Sequence, residues 1–350
     1  MPSYPAWIYD KTDFMKSYHV NLGAGLSGLT IKEHHMPAPG PAEVLIRVKA
    51  SSLNYRELMI LKGFYPLPVR PDVIPLCDGA GEVVGVGDAV TRVKVGDRVM
   101  GQVFPDWVDG PFARDYAAQL GGSLNGMLTE YAVLPENGVL QIPAHLSYEE
   151  AAALPCAALT AWNALSGGRG LAAGETVLTL GSGSVSLFAL QLAKAAGARV
   201  IATTSGEKKA AQLKALGADE VVNYIAQPDW YLAVRELTGG QGVDHVVEVG
   251  GAGTAEKSIR SAAIEGEVAV IGSVAGEPSP FNINLIMYGM VHVRPVAIGS
   301  KAQFTAMNKV IAVNKIKPVI DRVFHFNDAV AAFRYYMEGP CFGKVVLNHE

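Results

Sequence analysis

Apolar residues in the first third of the chain fall in short, Val-rich runs closed by Gly, Pro or Asp: 42–54 (AEVLIRVKASSLN), 79–87 (GAGEVVGVG) and 93–103 (VKVGDRVMGQV). Runs of this kind predict strands, and a segment built from them predicts a small all-β barrel or sandwich. The texture changes at 148–165, which is Ala-rich, with Ser147 placed to cap a helix and Glu149 and Glu150 in its first turn. From there strand, turn and helix repeat. ETVLTL is an apolar run, 185–196 reads as a helix, ARVIATTS as a strand, 207–216 as an amphipathic helix, and DEVVNY and DHVVEVG as further strands. Such alternation predicts an α/β unit with a parallel sheet. From about residue 299 two helical stretches flank IDRVFHF, and the chain ends in the apolar GKVVL.

The sharpest local signal is ETVLTL followed by Gly181, Ser182, Gly183, Ser184, Val185 and Ser186 and then an apolar helix. Gly181 supplies the dihedral angles of a tight strand-to-helix turn. Gly183 lets backbone amides approach a pyrophosphate at the helix N-terminus, where the peptide dipoles favour negative charge. Ser186 stands where the dinucleotide fingerprint has its third glycine, so the motif is incomplete, and an ordinary Gly/Ser turn is the plain alternative. The next strand ends Ala202, Thr203, Thr204, Ser205, with Lys208 and Lys209 beyond and no carboxylate at its terminus. An acid there would hold both ribose hydroxyls of NAD. Its absence predicts NADPH, with Thr204, Ser205 and Lys209 around the 2′-phosphate; alternatively the lysines are only a solvated helix face.

Composition narrows the partners. With 350 residues, 49% hydrophobic and 18% charged, the chain is long enough for two domains and too apolar for disorder. A net charge of −4 and a pI near 6.1 leave no positive excess for a phosphate backbone, so nucleic acid is not expected as a partner. The start, MPSYPAWIYDKTDF, lacks a basic segment followed by an apolar run, and the Ala-rich stretches are too short and interrupted to span a bilayer. A cytoplasmic protein without membrane contact is the expectation. Cys77, Cys156 and Cys341 are odd in number and widely spaced, which predicts reduced thiols.

In order along the chain, SLNYRELMILKG, IPLCDGAGEVVGVGDAVTRVKVGDRV, LNGMLTEYAVLPE, AAALPCAALTAWNAL, GSGSVS and GKVVL resemble the medium-chain dehydrogenase/reductases, and the middle block is similar to their zinc-free quinone oxidoreductase and enoyl reductase branches. The resemblance implies a GroES-like, partly open β-barrel catalytic domain over 1–156 and 299–350, with a doubly wound Rossmann domain over 157–298. It implies an active site in the cleft between them, and a homodimer joined through an edge strand, here VHVRPVAIG. By position it implies Val249, Gly250, Ile271, Gly272 and Ser273 beside the ribose and nicotinamide, Ile298 and Gly299 against the carboxamide, and Lys344 near the pyrophosphate; simple turn or strand packing is the alternative for each.

Zinc-dependent relatives use a cysteine, a histidine and a second cysteine or an acid as ligands. Matched to those motifs, this chain has Asn54, Cys77 followed by Asp78, and Cys156, and 101–134 contains no cysteine for a structural zinc lobe. A carboxamide is a poor ligand for a borderline-soft cation, so no metal is expected. Without a Lewis acid, the acceptor itself must spread the incoming charge, which favours a quinone or an α,β-unsaturated carbonyl. Asn54 and Tyr55, which the resemblance puts at the cleft floor, and Thr160, one helical turn beyond Cys156, are the candidate catalytic groups. Arg56 and Glu57 read as surface or interdomain ion pairs, and an aromatic segment with Trp107, Phe112 and Tyr116 as either acceptor lining or barrel packing. An alcohol dehydrogenase or enoyl-thioester reductase on the same fold stays open, as does a non-catalytic NADPH-binding protein of the lens-crystallin kind.

Overall fold

The computed structural model describes residues 14–272, 282–339 and 341–350. Two large sheets organise it. One is six-stranded and parallel, in the spatial order Glu220–Asn223, Arg199–Thr204, Thr176–Leu180, Val243–Glu248, Ala262–Val270 and His292–Pro295. The strands are short, the inner ones largely apolar, and a helix separates each from the next in sequence, which is the pattern that forces parallel pairing. VHVRPVAIG contributes the outermost strand. The other sheet is seven-stranded and mostly antiparallel, centred on Glu43–Ser52, and the chain's last two strands, Ile320–His325 and Lys344–Asn348, complete it. Apolar clusters fill both faces of the parallel sheet; one of them continues through the 151–165 region onto the barrel, so the two sheets share a packed boundary.

Two expected elements come out differently. The helix foreseen over 148–165 is three pieces: Tyr148–Ala152, a π-helical turn Leu154–Ala158, and Leu159–Ser166. Ser147 caps it as expected, in a reciprocal capping box with Glu150. Pro155 then has no N–H for the ladder and its ring crowds the preceding turn, which breaks the α-helical register. The first third is also not purely β, because Tyr55–Leu61 is a helix. Its buried Leu58 and Leu61 lie three residues apart, a helical spacing that the short flanking strands obscure. No helix among the described residues is long and apolar enough to cross a membrane.

The C-terminal strand seals the barrel with His349. Its Nδ1 lies 3.2 Å from the Thr129 carbonyl and its Nε2 2.9 Å from Ser51 Oγ, which assigns the proton to Nδ1 and leaves Nε2 to accept. Burial pushes its pKa down to about 3, against the Thr129 bond, which favours the charged form. The folded pKa lies below the unfolded value near 6.5, so the contribution is complete above pH 6.5 and is lost as pH falls toward 3. In chemical denaturation, the wild-type midpoint should fall more steeply than that of His349→Gln between pH 6.5 and 4; parallel curves would refute the assignment.

Candidate functional site

The strand Thr176–Leu180 enters a turn at Gly181, whose φ of +71° strains any residue but glycine, and Gly183 opens the helix Ser184–Ala195. A Cβ at either glycine would meet nothing within 4 Å, so the helix N-terminus faces open space, with Gly183 exposed and Ser184 and Val185 half-buried. Ser182 is buried, and its carbonyl accepts from Gly343 N–H at 3.2 Å, which ties the turn to the barrel's last strand. Ser186, in place of a third glycine, is buried and donates its hydroxyl to Leu180 O at 2.6 Å. The serine therefore closes the turn with its own hydrogen bond. Free amides and a helix dipole at an open glycine turn fit an anionic diphosphate.

One strand over, Gly181 N–H donates to Thr203 Oγ1 at 3.2 Å. Thr204 Oγ1 is buried without a partner among the described residues, an orphan of the kind that a bound ligand satisfies. Ser205 and Lys208 are exposed, and Glu207 follows in the first turn of the next helix. Lys209 Nζ reaches Cys341 O at 3.4 Å. These groups suit a nicotinamide dinucleotide, whose adenosine end would meet hydroxyls and a lysine.

At the ends of the next two strands the geometry separates the expected residues. Glu248 is fully buried and accepts from the N–H groups of Gly250 and Gly251 (2.6 and 2.8 Å), from Thr254 Oγ1 (2.6 Å) and from Ser258 Oγ. Gly250 is thus committed inward and shapes the turn, while Val249 stays half-buried beside it. Gly272 lies so close to Val249 that a Cβ would come within 2.5 Å of its carbonyl oxygen, and Ile271 N–H donates to Glu248 O at 2.8 Å. Ser273 lies outside the described residues. Ile298, with φ +49°, and the buried Gly299 stand between the barrel cluster and the cluster of the nucleotide side.

Across this boundary lies a buried polar centre. Lys344, 1% exposed, donates three hydrogen bonds: to Leu53 O (2.8 Å), Asn54 Oδ1 (2.8 Å) and Asp78 Oδ2 (3.0 Å). It does not reach toward the glycine turn, which corrects its expected place near the pyrophosphate; the neighbouring Gly343 makes that contact instead. With its Oδ1 taken by the ammonium, Asn54 turns Nδ2 inward, to Asp78 Oδ2 at 2.9 Å and Cys77 Sγ at 3.6 Å. It therefore has no outward donor for an oxyanion. Cys77, Asp78 and Cys156 bring their donor atoms within 4.8 Å of one another. As a resident metal site this fits poorly: the carboxylate already carries an ammonium. Burial, with the Cys156 thiol and the Asp78 carboxylate adding to it, pushes the Cys77 thiol well above its ordinary range.

Residues 40–144 match the family model for the alcohol dehydrogenase GroES-like domain, and residues 184–312 the one for zinc-binding dehydrogenases. A zinc-type alcohol dehydrogenase-like protein of Schizosaccharomyces pombe is 41% identical over 334 residues, covering 93% of this chain and 96% of its own length. The chain belongs to the medium-chain dehydrogenase/reductase superfamily. A quinone oxidoreductase of Pseudomonas aeruginosa is 33% identical over 276 residues, 78% of each chain. The crystal structure of a putative alcohol dehydrogenase from Sinorhizobium meliloti superposes with a TM-score of 0.89 at 35% identity, covering 97% of this chain and 99% of the other. A GroES-like unit joined to a Rossmann-like parallel sheet is thus established for this dehydrogenase/reductase.

Within that frame Tyr55, the first residue of its helix, is 43% exposed, and its hydroxyl finds no partner among the described residues. Thr160 is buried and donates back to Cys156 O at 2.7 Å, so its proton is not offered to a ligand. Arg56 and Glu57 correct the expectation of surface or interdomain pairs. They form a buried ion pair at 2.8 Å behind Cys77, whose N–H donates to Glu57 Oε1, and Arg56 also donates to Gln119 Oε1 at 2.9 Å. Trp107 and Phe112 pack on Phe104 and each other, with Trp107 O accepting from Lys301 N–H, so barrel packing accounts for them. Glu248 escaped the sequence reading, which noted Asp78 only as the acid after Cys77 in the ligand motif. An acid at the strand's end, directly after the apolar pair Val246–Val247 and two residues before a glycine, as in DHVVEVG, was the available signal for Glu248.

Proposed function

We propose that this protein reduces quinones or α,β-unsaturated carbonyls with NADPH and without a metal ion. The observation that carries the reading is the Lys344 ammonium seated on Asp78, among the groups that would otherwise hold a cation. The bare end of the strand Arg199–Thr204, the orphan Thr204 hydroxyl, Ser205 and Lys209 support the 2′-phosphorylated cofactor. The likeness to a protein named quinone oxidoreductase supports the acceptor class.

When bound, the nicotinamide supplies a hydride. The turn 181–185 holds the diphosphate by amides and helix dipole, and the Val249, Ile271–Gly272 and Ile298–Gly299 backbone borders the nicotinamide half. Tyr55 donates to the acceptor oxygen, where charge develops as hydride arrives; a conjugated acceptor spreads the remainder through its own π system. Lys344 and Asp78 act one step back, holding the Asn54 amide and the floor of the cleft in place. The reading divides the chain into a catalytic domain of 1–156 and 299–350 and a nucleotide domain of 157–298. It pairs two copies through the edge strand His292–Pro295, beside which Ile264, Tyr288 and Met290 are exposed. Free thiols at Cys77, Cys156 and Cys341 support a reducing, cytoplasmic setting.

The test is steady-state oxidation of NADPH and NADH against a panel of 1,2- and 1,4-quinones and enones, with elemental analysis of the same sample. NADPH should give a kcat/KM at least about tenfold above NADH, a preference worth ~1.4 kcal/mol, at well under one metal per chain. Preference for NADH, turnover with none of the acceptors, or a stoichiometric zinc would each overturn the corresponding part.

A further inference from the structure

Ile298 adopts a left-handed backbone, φ +49°, which a β-branched residue avoids unless its surroundings impose it. What imposes it is visible. Asn163, 6% exposed on the helix Leu159–Ser166, donates Nδ2 to Ile298 O at 2.9 Å. Its Oδ1 accepts from Gln303 Nε2 at 3.2 Å and Arg294 Nη1 at 3.3 Å, and Arg294 in turn pairs with the buried Glu267 at 2.9 Å. The network leaves no room for side chains around it. A Cβ at Gly167 would come 1.9 Å from Asn163 Oδ1, at Gly168 2.1 Å from Glu267 Oε2, and at Gly299 2.8 Å from Leu159. Meanwhile the N–H groups of Ile298 and Gly299 have no partner among the described residues, although Gly299 is buried. A buried donor is ordinarily paired, so the Gly299 N–H, with that of the half-buried Ile298 beside it, points to a ligand.

We infer that Asn163 is a positioning residue: it locks the strained 298–299 backbone so that its free N–H groups meet the carboxamide of the nicotinamide. This rests on the reading of Ile298 and Gly299 as the carboxamide border. The experiment compares the binding of NADPH with that of 2′-phospho-ADP-ribose, which lacks the nicotinamide, in wild type, Asn163→Ala and the double variant Asn163→Ala/Ile298→Gly. In wild type NADPH should bind more tightly than the fragment. Asn163→Ala should weaken NADPH about tenfold, the scale of one lost hydrogen-bonded arrangement, and leave the fragment unchanged. Glycine takes the left-handed conformation without strain, so the double variant should recover most of the loss. Equal wild-type affinities would remove the carboxamide reading itself, and the inference with it. If wild type does prefer NADPH, two results overturn the inference alone: an equal loss for both ligands in Asn163→Ala, or no recovery with glycine at 298. A melting curve for each variant separates both from simple unfolding.

Discussion

Lys344→Met should lower the free energy of unfolding by about 3–5 kcal/mol, the cost of leaving a buried charge without its partner. Methionine fills the aliphatic path of the lysine but removes three hydrogen bonds and the positive charge at 3.0 Å from Asp78. Asp78, fully buried, would keep among the described residues only the Asn54 amide, the Ser52 hydroxyl and the Cys77 thiol, at 2.9, 3.0 and 3.5 Å. The double variant Lys344→Met/Asp78→Asn removes both charges together and should recover most of the loss, because a neutral pair needs no counterion. Equilibrium denaturation at neutral pH reads both. A single-variant loss below about 1 kcal/mol, the range of exposed pairs, would mean that the centre is wet and the ammonium does not organise it.

Tyr55→Phe should act in the opposite way, on turnover and hardly on stability. The hydroxyl is exposed and unpartnered among the described residues, so its removal leaves no buried group unsatisfied. A donor aimed at developing oxyanion charge is worth about 3 kcal/mol, so kcat should fall about a hundredfold with KM for NADPH unchanged. Asn54 is no substitute donor, since its N–H groups are held by Asp78 and Cys77. An unchanged kcat would remove Tyr55 from the reaction.

Where interactions are local, the sequence was readable. The glycine turn at 181–183, the helix cap at Ser147 and the barrel-then-α/β order depend on residues within a few positions of one another, and all three stand as expected. Pro155 was visible too, yet its consequence was not. Whether a proline kinks a helix, ends it or widens one turn depends on what packs around it. Arg56 and Glu57 misled because charge alone suggests solvent, whereas a pair enclosed with Gln119 and the Cys77 amide can be buried.

Composition, hydrophobic period and turn chemistry therefore determined the two kinds of unit, their order, and the place of the glycine turn at 181–183, because each is set by short-range sterics and by which face must leave water. Tertiary structure alone decided the partners of the buried polar groups. Lys344 meets Asn54 across 290 residues of sequence, and Asn163 meets Ile298 across 135. A buried donor takes whichever acceptor the closed fold brings within about 3 Å, and closure is a property of the whole chain that no local pattern encodes.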